Sequence, residues 1–197
     1  MAPAFDPDTI SFYDREAIPY SNSSQRSRHL GAFIAALGPG AKVLELGCGA
    51  GRDAEALLAA GIEVTASDAS SKLAAIASAR IGRPVRIMRF DELADIDAFD
   101  GVWANACLLH APIGSLAGVL GLVRASLRMG GIFFASFKAG EGEGRDRLGR
   151  YYNFPNRIGL ERCYASAGPW TVLTIEEGVG GGYDGVERSW LACTATK

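Results

Sequence analysis

The sequence has only two histidines and four cysteines in 197 residues, and Cys48, Cys107, Cys163 and Cys193 are far apart. Without a C-x-x-C pair, neither a metal centre nor a disulfide framework is expected, and buried thiols in a reducing compartment account for the cysteines. An excess of one charge is also missing. Twenty basic against 22 acidic residues give a net charge of -2, which offers no global attraction for nucleic acid or an anionic membrane. There is no uncharged apolar run of the length that a membrane span requires. The N-terminal stretch MAPAFDPDTISFYDREA places acids and prolines where a secretory signal needs basic residues and then an apolar run. The expectation is a cytoplasmic protein, one domain over residues 1–197, with enough bulk to bury a core.

What is present is a strand-then-helix rhythm. Residues 24–37 read as a helix, with Leu30, Phe33, Ile34 and Leu37 on one face and Gly38-Pro39-Gly40 stopping it. Strands are expected at 42–46, 62–67, 84–89, 99–104 and 132–137. Helices are expected at about 52–60, 70–80 (capped by Ser70 or Ser71), 113–127 (stopped at Gly130-Gly131) and 156–167. The late runs 170–176 and 187–195 have no helix between them and read as an antiparallel hairpin joined by Gly178 to Gly185. The sum is a three-layer α/β Rossmann-like fold with a seven-stranded, mostly parallel sheet ending in a hairpin.

The most informative stretch is 43–61, VLELGCGAGRDAEALLAAG. An apolar strand carrying Glu45 ends in three alternate glycines, Gly47, Gly49 and Gly51, and a helical pattern follows at once. Glycines there let backbone approach a ligand, since no Cβ intervenes. A dinucleotide fingerprint, G-x-G-x-x-G, would need its last glycine at position 52, which is Arg52, so an NAD-dependent oxidoreductase is disfavoured.

The E-x-G-x-G-x-G pattern resembles the first motif of the class I S-adenosylmethionine-dependent methyltransferases, whose fold is also a seven-stranded, hairpin-ended sheet. The resemblance implies S-adenosylmethionine as cofactor, bound by Glu45, Gly47, Cys48, Gly49 and Gly51. It implies that Asp68, with neighbouring Ala69, grips the ribose hydroxyls at the end of strand two, where Asp68 could otherwise be a helix N-cap. It implies that Asp91, beside Glu92, meets the adenine amino group. FDGVWANACLLHAP resembles the family's fourth-strand segment, so Asn105, Ala106 and His110 point into the ligand crevice. The segments Gly49 to Ala54 (GAGRDA) and Ala135 to Glu141 (ASFKAGE) resemble small bacterial tellurite-resistance-like methyltransferases. Tyr13 and Tyr20 match a tyrosine-bearing N-terminal segment seen over the cofactor in related enzymes, and the 1–40 segment is expected to pack there as helix.

In such enzymes an acceptor displaces the sulfonium-bound methyl group in line, so the protein mainly aligns reactants and excludes water. His110 is the candidate base, or else a structural hydrogen-bonding group. Substrate-binding candidates are Tyr13, Tyr20, His110, Lys138, Arg150 and Tyr151. The loop 138–152 (KAGEGEGRDRLGRYY) reads either as a binding segment or as a solvated loop. Arg28, beside His29, is either solvated or within reach of the cofactor carboxylate. Little room for a recognition domain favours a small-molecule acceptor over a protein or large RNA. Ala104-Asn105-Ala106-Cys107 does not resemble the Asn/Asp-Pro-Pro-Tyr segment of amino-group DNA methylases, so no nucleic-acid target is expected. The alternative is a non-catalytic module that binds S-adenosylmethionine without turnover.

Overall fold

The computed structural model describes residues 4–23 and 25–197. In chain order the elements are α1 (Pro7–Arg15), α2 (Ala17–Ser23), α3 (Leu30–Leu37), β1 (Lys42–Leu46), α4 (Arg52–Ala59), β2 (Glu63–Asp68), α5 (Ser71–Ile81) and β3 (Arg86–Ile87). Then come β4 (Phe99–Ala104), α6 (Ile113–Ser126), β5 (Leu127–Lys138), β6 (Glu143–Arg145), β7 (Tyr151–Asn153), α7 (Arg157–Ala167), β8 (Val172–Gly180) and β9 (Arg188–Thr196). The main sheet has the order β3-β2-β1-β4-β5-β9-β8, parallel except for β9, which pairs antiparallel with both β5 and β8.

Side-chain alternation divides the core between two sheet faces. Leu44, Leu46, Val102, Phe133 and Phe137 pack on one face with Leu116, Leu120, Val123 and Leu160 of α6 and α7. Val43, Trp103 and Phe134 pack on the other with Leu30 and Phe33 of α3 and Leu57 of α4. Trp103 and Phe134 stack with ring centroids 4.3 Å apart. Burial on both faces is why these strands read as continuous apolar runs. Among the described residues no helix is long and apolar enough to cross a membrane.

Four expectations need correction. The helix expected at 24–37 begins only at Leu30 (residue 24 lies outside the described residues), and two helices precede it. Asp6 caps α1 by accepting the Thr9 N–H at 2.9 Å, with Pro7 opening the helix, a start signal present in the sequence. Strand three shortens to Arg86–Ile87, because Pro84 donates no ladder hydrogen bond and the edge carries exposed side chains. Gly130-Gly131 does not stop a helix. The helix ends at Ser126, β5 starts at Leu127, and Gly130 (φ +78°) supports the irregularity where the pairing with β4 shifts register. The loop after β5 is ordered as the β6–β7 hairpin, held by an Asp146–Arg150 ion pair that is almost fully buried.

Candidate functional site

The site forms at the carboxyl ends of β1, β2 and β4, where open α/β sheets place their ligands. Gly47, Gly49 and Gly51 all adopt left-handed φ, at +61°, +54° and +76°. A Cβ on Gly47 would stand 2.4 Å from Cys107 Cβ, and one on Gly49 would press on the Tyr20 ring at 3.2 Å. Gly51 allows α4 to approach Ala77 of α5. Asp68 braces this turn: its Oδ2 accepts the Gly49 N–H and its Oδ1 the Ser70 N–H, both at 2.8 Å. Burial raises its carboxyl to about 6, with Asp14 adding to the rise against the two backbone donors. Ser70 caps α5 by accepting the Leu73 N–H, so the alternative reading of Asp68 as the helix N-cap does not hold.

A cavity of about 640 Å³, counting its open mouth, is lined by Gly47, Gly49, Asp68, Ala69, Leu73 and Phe90, with Tyr13, Tyr20, Ala106 and His110 at one end. A second cavity, of about 1230 Å³ on the same measure, begins at those same four residues and continues to Asn105, Lys138, Arg150, Tyr152, Tyr183 and Trp190. The helices α1 and α2 cover the junction. They are pinned by Ser70 Oγ donating to Asp14 (2.6 Å), the Tyr151 N–H to Thr9 Oγ1 (2.9 Å) and Arg145 to Asp6 (2.8 Å).

At the junction a chain of hydrogen bonds fixes proton positions. His110 Nδ1 lies 2.6 Å from the Tyr151 carbonyl, which can only accept, so Nδ1 carries the hydrogen. Nε2 therefore accepts the Tyr13 hydroxyl hydrogen at 3.0 Å. Arg150 Nη1 donates to the same Tyr13 oxygen at 2.9 Å, and Asp146 receives Arg150 Nε and Nη2 at 3.0 and 2.6 Å. Burial, with Arg150 and Lys138 nearby, lowers the imidazole to about 3. Burial also pushes the Tyr13 phenol up to about 12. Beside them Ala106 holds φ +52°, a strained conformation for a residue with a Cβ, and its N–H donates to Ser136 Oγ at 2.8 Å.

Several expected residues lie elsewhere. Asp91 and Glu92 turn onto Arg89, with Asp91 Oδ1 3.1 Å from its Nε and Glu92 Oε1 2.9 Å from its Nη2; Arg89 and Phe90 line the cavity instead. Glu45 and Cys48 are buried beneath the glycine turn rather than in the cavity wall. Burial, then Asp53 and Asp68, push Glu45 well above the usual carboxylate range, and its Oε2 has no hydrogen-bond partner. Tyr151 contributes its carbonyl, while its hydroxyl donates to Glu143. Arg28 points toward the end of β8, its Nη1 3.5 Å from the Val179 carbonyl, away from the first cavity. Tyr152, which the charged loop offered with Arg147 as a substrate contact, does line the second cavity. Nothing in the sequence marks Tyr183 and Trp190, which arrive from the β8–β9 hairpin, or the ion pairs made by Arg150 and Lys138.

The first cavity fits the expected cofactor. Each Asp68 oxygen accepts one backbone hydrogen bond and retains acceptor capacity for a vicinal diol, and the Leu73–Phe90 end is an apolar slot suited to a flat base. Residues 43–131 match a family model described as a methyltransferase domain. No curated protein matches the sequence. Among solved structures, the 1,6-didemethyltoxoflavin-N1-methyltransferase of Burkholderia thailandensis, with 1,6-didemethyltoxoflavin and S-adenosylhomocysteine bound, is 25% identical. That match covers 100% of this chain and 92% of the other with a TM-score of 0.72. An S-adenosylmethionine-dependent methyltransferase of Methanosarcina mazei is 16% identical over 84% of this chain and 96% of its own, TM-score 0.73. A phosphoethanolamine N-methyltransferase of Haemonchus contortus is 15% identical over 95% of this chain and 56% of its own, TM-score 0.72. The fold and the domain match support an S-adenosylmethionine-dependent methyltransferase enzyme of class I. S-adenosylmethionine is its cofactor.

Proposed function

We propose that the chain methylates a small molecule held in the second cavity. The observation that carries this is the meeting of the two cavities at Tyr13, Tyr20, Ala106 and His110. Asp68 would hold the ribose hydroxyls, Ala69, Leu73 and Phe90 the adenine, and Gly47 and Gly49 the methionine end. When bound, S-adenosylmethionine supplies an electrophilic methyl group whose carbon–sulfur bond breaks with the electron pair kept by sulfur.

The residues at the junction then have two tasks. The Tyr13, Tyr20 and Ala106 surfaces align the acceptor with the methyl group and keep water out. Tyr13 takes the acceptor's proton while passing its own hydroxyl proton to His110 Nε2, 3.0 Å away. His110 is a weak base, but an alkylated N–H or O–H acceptor is strongly acidic, so a weak base suffices. Lys138 and Arg150 also line the acceptor cavity, Arg150 from the junction itself through its hydrogen bond to Tyr13.

The neighbour that is 25% identical carries a small-molecule substrate, which supports a small acceptor here. The GAGRDA and ASFKAGE segments favour a tellurite-resistance-like subgroup, acting in the cytoplasm as one domain without a nucleic-acid target. Incubation with S-adenosylmethionine and a broad panel of small acceptors, read by S-adenosylhomocysteine formation, tests the reading. Turnover on a small molecule supports it. Binding without turnover across the panel supports the non-catalytic alternative, and absence of binding contradicts both.

A further inference from the structure

We infer that the second cavity selects an uncharged, flat aromatic acceptor that brings its own N–H or O–H. This rests on the methyl-transfer reading and adds the chemical class of the acceptor.

The walls are rings. Tyr13, Tyr20, Tyr152, Tyr183 and Trp190 line the cavity, and Tyr20 stands edge-on to both Tyr13 and Tyr183, with centroids 5.1 and 5.2 Å apart. Such walls accept a flat ring by stacked or edge-to-face contact.

Each cation that lines the cavity faces a buried carboxylate, although Asp184 also has Arg188 at 3.8 Å. Lys138 Nζ lies 3.3 Å from Asp184 Oδ2, and both side chains are almost fully buried. Arg150 is likewise paired with buried Asp146 at 2.6 Å. An anionic acceptor therefore finds two cations that are each already paired, and it would lose its hydration without an unpaired partner.

A cationic acceptor fares no better. Three of the five rings, Tyr13, Tyr152 and Tyr183, already have the Arg150 guanidinium 5.3 to 5.7 Å from their centroids, so a flat neutral ring meets chiefly Tyr20 and Trp190. Lys138 Nζ lies 4.2 Å from the Tyr152 centroid. Among the described residues no carboxylate lines the cavity to receive a second positive charge.

The remaining polar groups suit a neutral heteroatom edge. Ser136 Oγ accepts the Ala106 N–H, so its own hydrogen goes to Asn105 Oδ1 at 2.9 Å. That fixes the amide orientation and leaves the NH₂ group of Asn105, a cavity-lining residue, as a donor. Tyr13, which lines the same cavity, offers its oxygen to an acceptor N–H or O–H. A carbonyl or ring nitrogen at one end and a proton-bearing nucleophile at the other match this donor–acceptor pair.

The test uses three probes on one ring system, naphthol, naphthoate and naphthylmethylammonium, titrated calorimetrically into the full chain loaded with S-adenosylhomocysteine. Naphthol should bind at least about tenfold more tightly than either charged probe. Asp184→Asn and Asp146→Asn, each releasing one cation from its partner, should both raise the affinity of naphthoate relative to naphthol. A charged probe that equals or exceeds naphthol in the unsubstituted protein, or no binding by any of the three, overturns the inference. Failure of S-adenosylhomocysteine itself to bind would instead overturn the methyl-transfer reading.

Discussion

Replacing His110 with asparagine removes one titrating group while keeping an N–H for the Tyr151 carbonyl. Burial and the nearby Arg150 and Lys138 lower the native imidazole to about 3, against about 6.5 in an unfolded chain. As pH falls the unfolded chain takes up this proton first. The native advantage is therefore full above about pH 6.5 and is lost progressively down to about pH 3. The linkage costs the unsubstituted protein about 2 kcal/mol at about pH 5 and about 3 kcal/mol at about pH 4, a cost His110→Asn does not carry. The ring edge facing the cavity is partly accessible, so these are upper values. Asp68, raised to about 6, acts with the opposite sign over an overlapping range, but it is present in both proteins and cancels in the difference. Urea unfolding at a series of pH values measures that difference. The stability of the parent over the variant should shrink by up to about 2 kcal/mol between about pH 7 and pH 5. A difference that stays constant would refute the claim that His110 is held neutral between Tyr13 and the Tyr151 carbonyl.

Other residues give shorter tests. Asp68→Ala should weaken S-adenosylmethionine binding by about 1.5–3 kcal/mol, measured calorimetrically, if its charged hydrogen bonds reach the ribose. With Asp68 titrating at about 6, that affinity should rise with pH as the carboxylate forms, and Asp68→Asn should flatten the rise. Gly47→Ala forces a Cβ to 2.4 Å from Cys107 Cβ at φ +61°, so thermal melts should show a loss of about 2–4 kcal/mol together with lost cofactor binding. Tyr13→Phe should lower kcat by about 10²-fold by removing the relay hydroxyl, whereas Tyr20→Phe, whose hydroxyl is outside the relay, should lower it by less than about tenfold.

Local patterns carry much of this account in the sequence itself. The continuous apolar runs of β1, β4 and β5 and the spacing of Gly47, Gly49 and Gly51 are local signals, and the structure places strands and a left-handed glycine turn there. The β6–β7 hairpin is not legible in the same way. Arg150 reads as a substrate-binding candidate in a loop that could equally be solvated, and only the tertiary packing of Tyr13, Tyr152 and Tyr183 around it makes burial of its pair with Asp146 favourable. Asp91 turns onto Arg89, two residues away, through a short turn, and Arg89 and Phe90 line the cavity in its place. Tyr152, Tyr183 and Trp190 come together only when two hairpins fold over the same sheet end, which no window of sequence displays.

The central claim is that the cofactor lies along Gly47, Gly49 and Asp68, with its reactive end at the junction of Tyr13, Ala106 and His110. A crystal structure with S-adenosylhomocysteine bound tests it most directly. The account predicts ribose hydroxyls within about 3 Å of the Asp68 carboxylate and the sulfur facing the second cavity at that junction. A ribose away from Asp68, or a sulfur turned from the second cavity, would contradict it.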